Sequence, residues 1–380
     1  MRRIFLTGST GTIGSALAPR LLADADAEVS LLMRARDDAD LQRRLGEMRA
    51  WWGLAPGDPR AARIRALRGD VSEPDFGLGA EAHARLAGET THIIHCAASV
   101  KLNMPLEQAR ATAVVPTRSI LALGHIAARA GVLRKIDLVS TVGVWGRTPG
   151  VMPERRMPEV SEFHNTYEAA KAEAERVVWA EGEGLPVTVH RPSMVVGERG
   201  SGRVIHFQVF YHLCEFLSGV RTFGVMPHLG PTRLDIVPVD WVADAIVWAS
   251  RDVSTAGRIF HLCAGPAGAI GLVPLQEVVR RTWQRHGRTL PRLRRVDRRL
   301  LERLVPWIGL LAGARTRRAL RGLPPVLAYL AEDQGFDNVE TARSLGAAGL
   351  PVPAVDAYLE PVLDYYLQTY RGSHSSGAVR

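Results

Sequence analysis

Cysteine is nearly missing from this chain: Cys96, Cys214 and Cys263 are the only three in 380 residues, far apart and in apolar surroundings. No CxxC and no Cys/His ligand spacing occurs, which sets aside a disulfide framework and a zinc site and leaves structural thiols and no metal. Lysine is equally scarce, at positions 101, 135 and 171 alone, so arginine carries the positive charge. Long apolar runs are missing too. None reaches the ~18 or more residues of a membrane-crossing helix. Met1-Arg2-Arg3 leads directly into a strand pattern with no signal or transit segment, so a cytoplasmic location is expected.

What remains is the composition of a soluble globular chain, 46% hydrophobic and 23% charged, long enough for two to three domains or for one large α/β unit with an appendage. The net charge of +9 is concentrated in one segment. Between Arg280 and Arg321 stand 14 arginines against Asp297 and Glu302, so the rest of the chain is slightly acidic. No aromatic-interleaved platform or recognition motif accompanies that stretch, and nucleic acid is not an expected partner.

The most informative stretch runs from Ile4 to Gly14. An apolar run ends in a loop with glycines at 8, 11 and 14, and helical spacing follows from Ser15 to Leu22. Glycine permits a positive φ, lets the backbone approach a pyrophosphate and allows a helix to pack closely on a strand, while the helix N-terminus offers N–H groups to the anion. Thr7, Gly8, Thr10, Gly11, Thr12, Ile13 and Gly14 are thus candidates for a dinucleotide cradle. Three glycines alone are a weak signal; their place after the first strand, with a second strand-like run at Val29–Met33 after a crossover helix, gives them weight.

Apolar runs at 2–7, 28–33, 63–67, 92–96, 135–140 and 186–190 alternate with helical patterns, and a seventh follows at 258–263. This is the sequence form of an α/β fold, a Rossmann-type doubly wound parallel sheet. Residues 1–196 and 235–264 are expected to form it. Residues 197–234 and 265–371 then form a smaller, mostly helical substrate-binding lobe beyond the carboxyl edge of the sheet, and 372–380 a disordered tail.

An NAD-using enzyme is expected to carry an acid at the end of the second strand. Here Arg34 and Arg36 stand there instead; a cation suits a 2′-phosphate, so NADPH is the expected cofactor. Asp70 and Val71 close the third strand, where a carboxylate can accept the adenine amino hydrogen bond; a turn-forming Asp is the plainer alternative. Ala97 and Ala98 after the fourth strand are small enough to let a flat cofactor pass, and His95 reads as packed structure. The fifth strand ends in Ser140-Thr141, and 26 residues after Thr141 stands Tyr167, with Lys171 four further on. Positions i and i+4 share a helix face. Lys171 can therefore reach the cofactor ribose while its ammonium lowers the Tyr167 phenol pKa toward working pH, and Thr141 would hold a substrate carbonyl oxygen alongside. Asp240 reads as the N-cap of a helix from Trp241.

With these residues in place the chain resembles an extended short-chain dehydrogenase/reductase, in the subgroup of fatty acyl-CoA reductases and the terminal thioester reductase domains of carboxylic acid reductases and peptide synthetases. The resemblance is carried by TGSTGTIG (7–14), LLMRAR (31–36), RGDVSEPDFGL (68–78), HIIHCAASVKLNMPL (92–106), VSTVGV (139–144), NTYEAAKAEAERVV (165–178), HRPSMVVG (190–197) and DIVPVDWVADAI (235–246). It implies catalytic roles for Thr141, Tyr167 and Lys171, a 2′-phosphate grip by Arg34 with Arg44, and a nicotinamide lined by Pro192, Ser193 and Val195. Two positions depart from the pattern. Ala113 stands where relatives usually carry Asn, so a proton relay leaning on that amide must be replaced or absent, and Ala170 stands where Ser is usual.

The activity implied is NADPH-dependent reduction of an acyl thioester, on coenzyme A or an acyl-carrier protein, to aldehyde or alcohol. A ketone or hydroxy dehydrogenase of the hydroxysteroid or 3-oxoacyl type would use the same machinery, and a non-catalytic dinucleotide-binding regulator is the reading from another class. In the basic segment 296–321, leucines at 300, 301 and 304 recur at helical spacing among Arg298, Arg299 and Arg303. This suits a peripheral contact with an anionic membrane surface, or a carrier protein or the phosphates of coenzyme A, with an ordinary amphipathic helix as the plainer alternative.

Overall fold

The structure, a computed structural model, describes residues 1–102, 104–296 and 334–375. Seven parallel strands form its main sheet: β1 (Arg2–Thr7), β2 (Ala27–Met33), β3 (Ile64–Arg68), β4 (His92–His95), β5 (Lys135–Val139), β6 (Val187–Pro192) and β7 (Ile259–Leu262). Their spatial order is 7-6-5-4-1-2-3. The order reverses between β1 and β4, and a doubly wound sheet opens its ligand crevice at such a point. Thr7 pairs with Leu32 on one side and His95 on the other, so three strands end there at one level. The expected α/β class and all seven strands are present, with limits within two residues of those read from the apolar runs.

Both faces of the sheet are covered, as a parallel sheet requires. Ile4 and Leu6 of β1 point to one core, with Leu17 of α1 (Thr12–Leu22) and Leu45 of α2 (Asp38–Trp51). Phe5 points to the other, with Leu86 of α3 (Ala80–Glu89), Ile120 and Leu123 of α4 (Leu106–Arg129) and Val178 of α5 (Thr166–Glu181). This is the period-two alternation of a strand. α4 is long and apolar enough to cross a membrane by length and composition, yet half of that window is buried and it packs on α5. Leu123 is wholly buried, and its change to Ala should cost about 2–5 kcal/mol.

A second core joins Phe210, Tyr211 and Leu217 of α6 (Val209–Leu217) to Leu275 and Trp283 of α8 (Leu272–Arg285), to Tyr358, and to Val362 and Tyr366 of α10 (Leu359–Ser375). This core draws mainly on residues within 197–234 and 265–371. Residues 339–352 return to the Rossmann side: Leu345 of α9 (Val339–Ala347) joins the core around Trp241, whose indole N–H donates to the Leu350 carbonyl at 3.1 Å. α10 runs to Ser375, into the stretch expected to be a tail, and 376–380 lie outside the described residues. So does the basic segment beyond Val296.

Asp240 corrects another expectation. The helix α7 (Val239–Arg251) starts before it, Pro238 occupies the cap position, and Asp240 sits in the first turn. Its carboxylate accepts from the Arg199 backbone N–H at 3.1 Å and from Nε at 2.7 Å, which ties the start of the lobe to the Rossmann domain.

Candidate active site

β1 stops at Thr7 because the chain turns at Gly8 with φ of +76°, where a β-carbon would stand 2.7 Å from the Ala97 nitrogen. Gly14 is tighter still, since a β-carbon there would lie 2.1 Å from the Gly8 carbonyl oxygen. α1 follows at once with Gly11 as its cap residue and no side-chain cap hydrogen bond, while Gln208 donates to the Thr12 hydroxyl at 2.7 Å beside it. Its first-turn N–H groups are left to an anion. A cavity of about 1850 Å³ runs from this loop along the ends of β2 to β6 and α5 into the lobe. That exceeds the ~300–1,000 Å³ of an ordinary single-ligand pocket and leaves room for a dinucleotide and a second molecule together.

Every residue expected at the cofactor or in catalysis lines this cavity except Thr7. Thr7 is wholly buried, 2.7 Å from His95 Nδ1 through its hydroxyl, which also accepts from the Ala97 N–H at 3.4 Å. It holds the loop from behind instead of touching a ligand, because the pleat turns this strand end inward. Burial takes the His95 imidazole down to about 3, as suits a packed histidine. The cradle that a methyl group would fill, the uncovered helix end and the buried, unpartnered Ser140 hydroxyl on the cavity wall all fit a bound dinucleotide.

At the far end of the loop, the Arg34 guanidinium is exposed and lies 3.9 Å from Asp70. Arg44 donates to the Arg34 carbonyl at 2.6 Å and so pins its backbone. Arg36 turns away to Asp40 at 3.6 Å. Asp70 lines the cavity and accepts the Ser72 N–H at 2.9 Å within its own turn.

The wall that carries the candidate catalytic residues is built from β5 and α5. Thr141 starts a single 3-10 turn just after β5, its Oγ1 accepting from the Gly143 N–H at 3.2 Å, and lines the cavity together with Tyr167. Asn165 caps α5 by accepting the Glu168 N–H at 3.0 Å, and Glu168 reaches back to accept the His164 N–H at 3.1 Å. This reciprocal cap fixes where the helix begins and therefore where Tyr167 points. Lys171, one turn on, is buried and donates to the Val139 carbonyl at 2.8 Å.

Here the electrostatics differ from expectation. The Tyr167 phenol is pushed up to about 12, by burial first and the Glu168 charge second, partly offset by the Thr141 hydrogen bond. Lys171 does not lower it: its ammonium is committed to the end of β5, and burial brings its own pKa down to about 8. Ala113 and Ala170, where an amide and a hydroxyl would be usual, both pack into the core between α4 and α5.

The substrate end is the part that motif reading missed. Phe207, Val209, His212 and Phe216 around α6 line it with Leu234, Asp235 and residues 334–336. Arg221 is paired there with Glu215 at 3.3 Å. Burial raises the Asp235 carboxyl to about 6 although the Ala264 and Gly265 N–H groups donate to it at 2.8 and 2.9 Å. The apolar aromatic face of residues 207–216 was the one available signal.

Comparison with known proteins now bears on the site. The sequence profile of a NAD-binding family described as male sterility protein matches residues 6–246. The isonitrile lipopeptide synthase of Streptomyces coeruleorubidus is 31% identical over 252 residues, 65% of this chain and 16% of that protein. The aldehyde reductase lnaA of Aspergillus flavus is 29% identical over 269 residues, 68% of this chain and 25% of that protein. The chain thus spans only a quarter or less of the length of these two relatives. Among solved structures, the terminal R domain from the myxalamid PKS-NRPS biosynthetic pathway superposes with a TM-score of 0.80 at 28% identity, covering 98% of this chain and 91% of that one. The reductase domain of a nonribosomal peptide synthetase from Mycobacterium tuberculosis shares the fold, with a TM-score of 0.70 at 23% identity over 98% and 92% of the two chains.

Proposed function

Since the chain belongs to the male sterility protein family, among the extended short-chain dehydrogenase/reductases, we propose that it is an NADPH-dependent reductase of acyl thioesters. The observation that carries this reading is the Thr141–Tyr167 pair, with Lys171 behind it, on one wall of a cavity that has a glycine cradle at one end and an apolar lobe at the other. Arg34 and Arg44 would hold the 2′-phosphate, the Gly8–Gly14 loop the pyrophosphate, and Pro192, Ser193 and Val195 the nicotinamide, as positions on the cavity wall that match those roles. NADPH, when bound, supplies hydride to the carbonyl carbon.

The remaining work falls to the chain. The hydroxyls of Thr141 and Tyr167 orient the carbonyl oxygen and stabilise the charge it gains. Tyr167 then gives that oxygen its proton, and Lys171 holds the end of β5 and the ribose in register. The resulting hemithioacetal loses free thiol and leaves an aldehyde; a second round, with another NADPH and another proton, gives the alcohol. A thioester on a carrier protein is favoured over a coenzyme A ester, because the similar terminal R domain comes from a PKS-NRPS pathway. A cytoplasmic setting completes the reading, with the basic segment 296–321 as the contact for the carrier or for an anionic surface.

The test is to offer acyl-carrier protein, acyl-CoA and a ketone in turn, and to follow NADPH oxidation and thiol release together. Thiol released in step with NADPH oxidation is expected. Oxidation with the ketone alone would replace this reading by the ketone reductase, and NADPH binding without turnover on any of them by the regulator.

A further inference from the structure

The lobe reaches back to the cofactor cradle through residues 203–208, which lead into α6. Their start is fixed to α2: the Arg203 guanidinium stacks on the Trp51 ring at 3.9 Å and donates to the Trp51 carbonyl at 2.6 Å. Ile205 packs on the Rossmann core, and Val204 is buried in the lobe core. Two contacts with the glycine loop itself come next. His206 Nε2 lies 3.0 Å from the Thr10 carbonyl oxygen, which can only accept, so that nitrogen carries the hydrogen. Gln208 donates its side-chain amide to Thr12 Oγ1 at 2.7 Å. Phe207 between them turns to the lobe and meets Tyr211 and Tyr366 edge-on, with ring centroids 4.9 Å apart in each pair. One short stretch thus holds the cradle on one side and the lobe core on the other.

Gln208 is also the cap residue of α6, yet its side chain makes no capping hydrogen bond there. Ser, Thr, Asp or Asn ordinarily closes a helix start; here a longer amide reaches past it to Thr12. We propose that Gln208 is a positioning residue that ties α6 to the glycine loop, so that a dinucleotide in the cradle fixes the substrate end of the cavity; this rests on reading the cradle as a dinucleotide site. Val209, His212 and Phe216 of α6 line the substrate end, and His206 and Gln208 line the same cavity. A glutamine amide has two N–H groups, and Thr12 takes one. The second is open to an anion in the cradle only while this stretch lies on the loop. That is the differential contact by which a ligand shifts an equilibrium. Linkage is reciprocal: what the dinucleotide adds to the hold on α6, a held α6 returns as dinucleotide affinity. Cofactor and acyl substrate therefore bind synergistically.

Gln208→Ser separates the tie from the cap, since a serine can cap α6 but is too short to reach Thr12. Amide hydrogen exchange over 203–217, with and without saturating NADPH and with no substrate present, reads the hold on α6. In the wild type NADPH should slow exchange there about fivefold or more. NADH carries the same pyrophosphate and at saturation should do the same. In Gln208→Ser the slowing should vanish, and fluorescence titration should show NADPH bound about tenfold more weakly. Exchange in α8, which shares the lobe core but not the contact with the loop, should stay as in the wild type. Thr12→Val removes the acceptor from the other side and should abolish the slowing in the same way. Unchanged exchange in the wild type with NADPH bound overturns the proposal, and so does full slowing in either variant. A chain that binds neither dinucleotide overturns the cofactor reading and this proposal with it, and the titration tells that case from the others. Because no substrate enters, the result stands whether or not the thioester reading does.

Discussion

The two ends of the cavity are made in different ways. At the cofactor end, the wall is backbone: Gly8, Gly14 and the start of α1 are held by strands that neighbour one another in the sheet, with clearances that exclude even a methyl group. At the substrate end, the wall is side chains from α6, the 233–235 strand region and 334–336, brought together only by the packing of the lobe. A backbone wall recognises what all dinucleotides share. A side-chain wall can change its specificity without disturbing the sheet, which is why the proposed function places substrate choice in the lobe.

The largest effect should come where the two ends meet. Tyr167→Phe removes the proton donor and leaves the ring, so turnover should fall by about 10²–10⁴ while NADPH binding, followed by fluorescence titration, survives. Loss of binding along with turnover would mean that the catalytic wall and the cradle are not separable. Gly14→Ala tests the cradle itself: a β-carbon 2.1 Å from the Gly8 oxygen forces the loop apart. Strain of about 1–3 kcal/mol should appear as a ten- to hundredfold weaker NADPH affinity. Wild-type affinity there would show that the loop has slack that its geometry denies.

Asp235 tests the substrate end. Its carboxyl is raised to about 6 from an ordinary 3.8, chiefly by burial. Well below the ordinary value both folded and unfolded states hold the proton, and no stability is lost. As pH rises toward 6 the unfolded chain ionises first, so wild-type stability falls, and above 6 the loss is complete and constant. The loss should be on the order of 1–3 kcal/mol. Asp235→Asn lacks this dependence, so its stability relative to wild type should improve from about pH 4 to pH 7 in denaturant melts. A constant difference would mean that the carboxyl is not raised.

The same contrast decides what could be read without coordinates. The cradle was legible because glycine spacing and backbone φ are tied together, and the Tyr167–Lys171 pair because four residues make one helical turn. Thr7 was not, since whether a strand-end side chain faces a ligand or the next strand depends on pairing with β4. The destination of the Lys171 ammonium depended on where β5 stops, and the environment of Tyr167 on a carboxylate folded back over Gly143. Asn165 and Glu168 do carry a capping spacing that was open to reading. The substrate end had no such local rule, because residues 207, 234 and 336 share nothing in sequence that brings them together.

The smallest effect concerns a side chain at the cofactor end. Arg34 is 78% exposed and shares its charge with Asp70 only at 3.9 Å, so its attraction for a 2′-phosphate acts across solvent. About tenfold tighter binding of NADPH than NADH, near 1.4 kcal/mol, is what such a contact supports. Arg34→Ala should remove most of that difference and leave NADH affinity unchanged, since NADH has no phosphate for it to meet. The preference should also shrink in high salt, because exposed charges are screened beyond a Debye length of ~8 Å at physiological ionic strength. Arg44→Ala should reduce it less directly, through the Arg34 backbone that Arg44 holds at 2.6 Å. Competitive titration of both cofactors at two ionic strengths measures all of this. Equal affinities in the unmodified protein would remove Arg34 from the specificity.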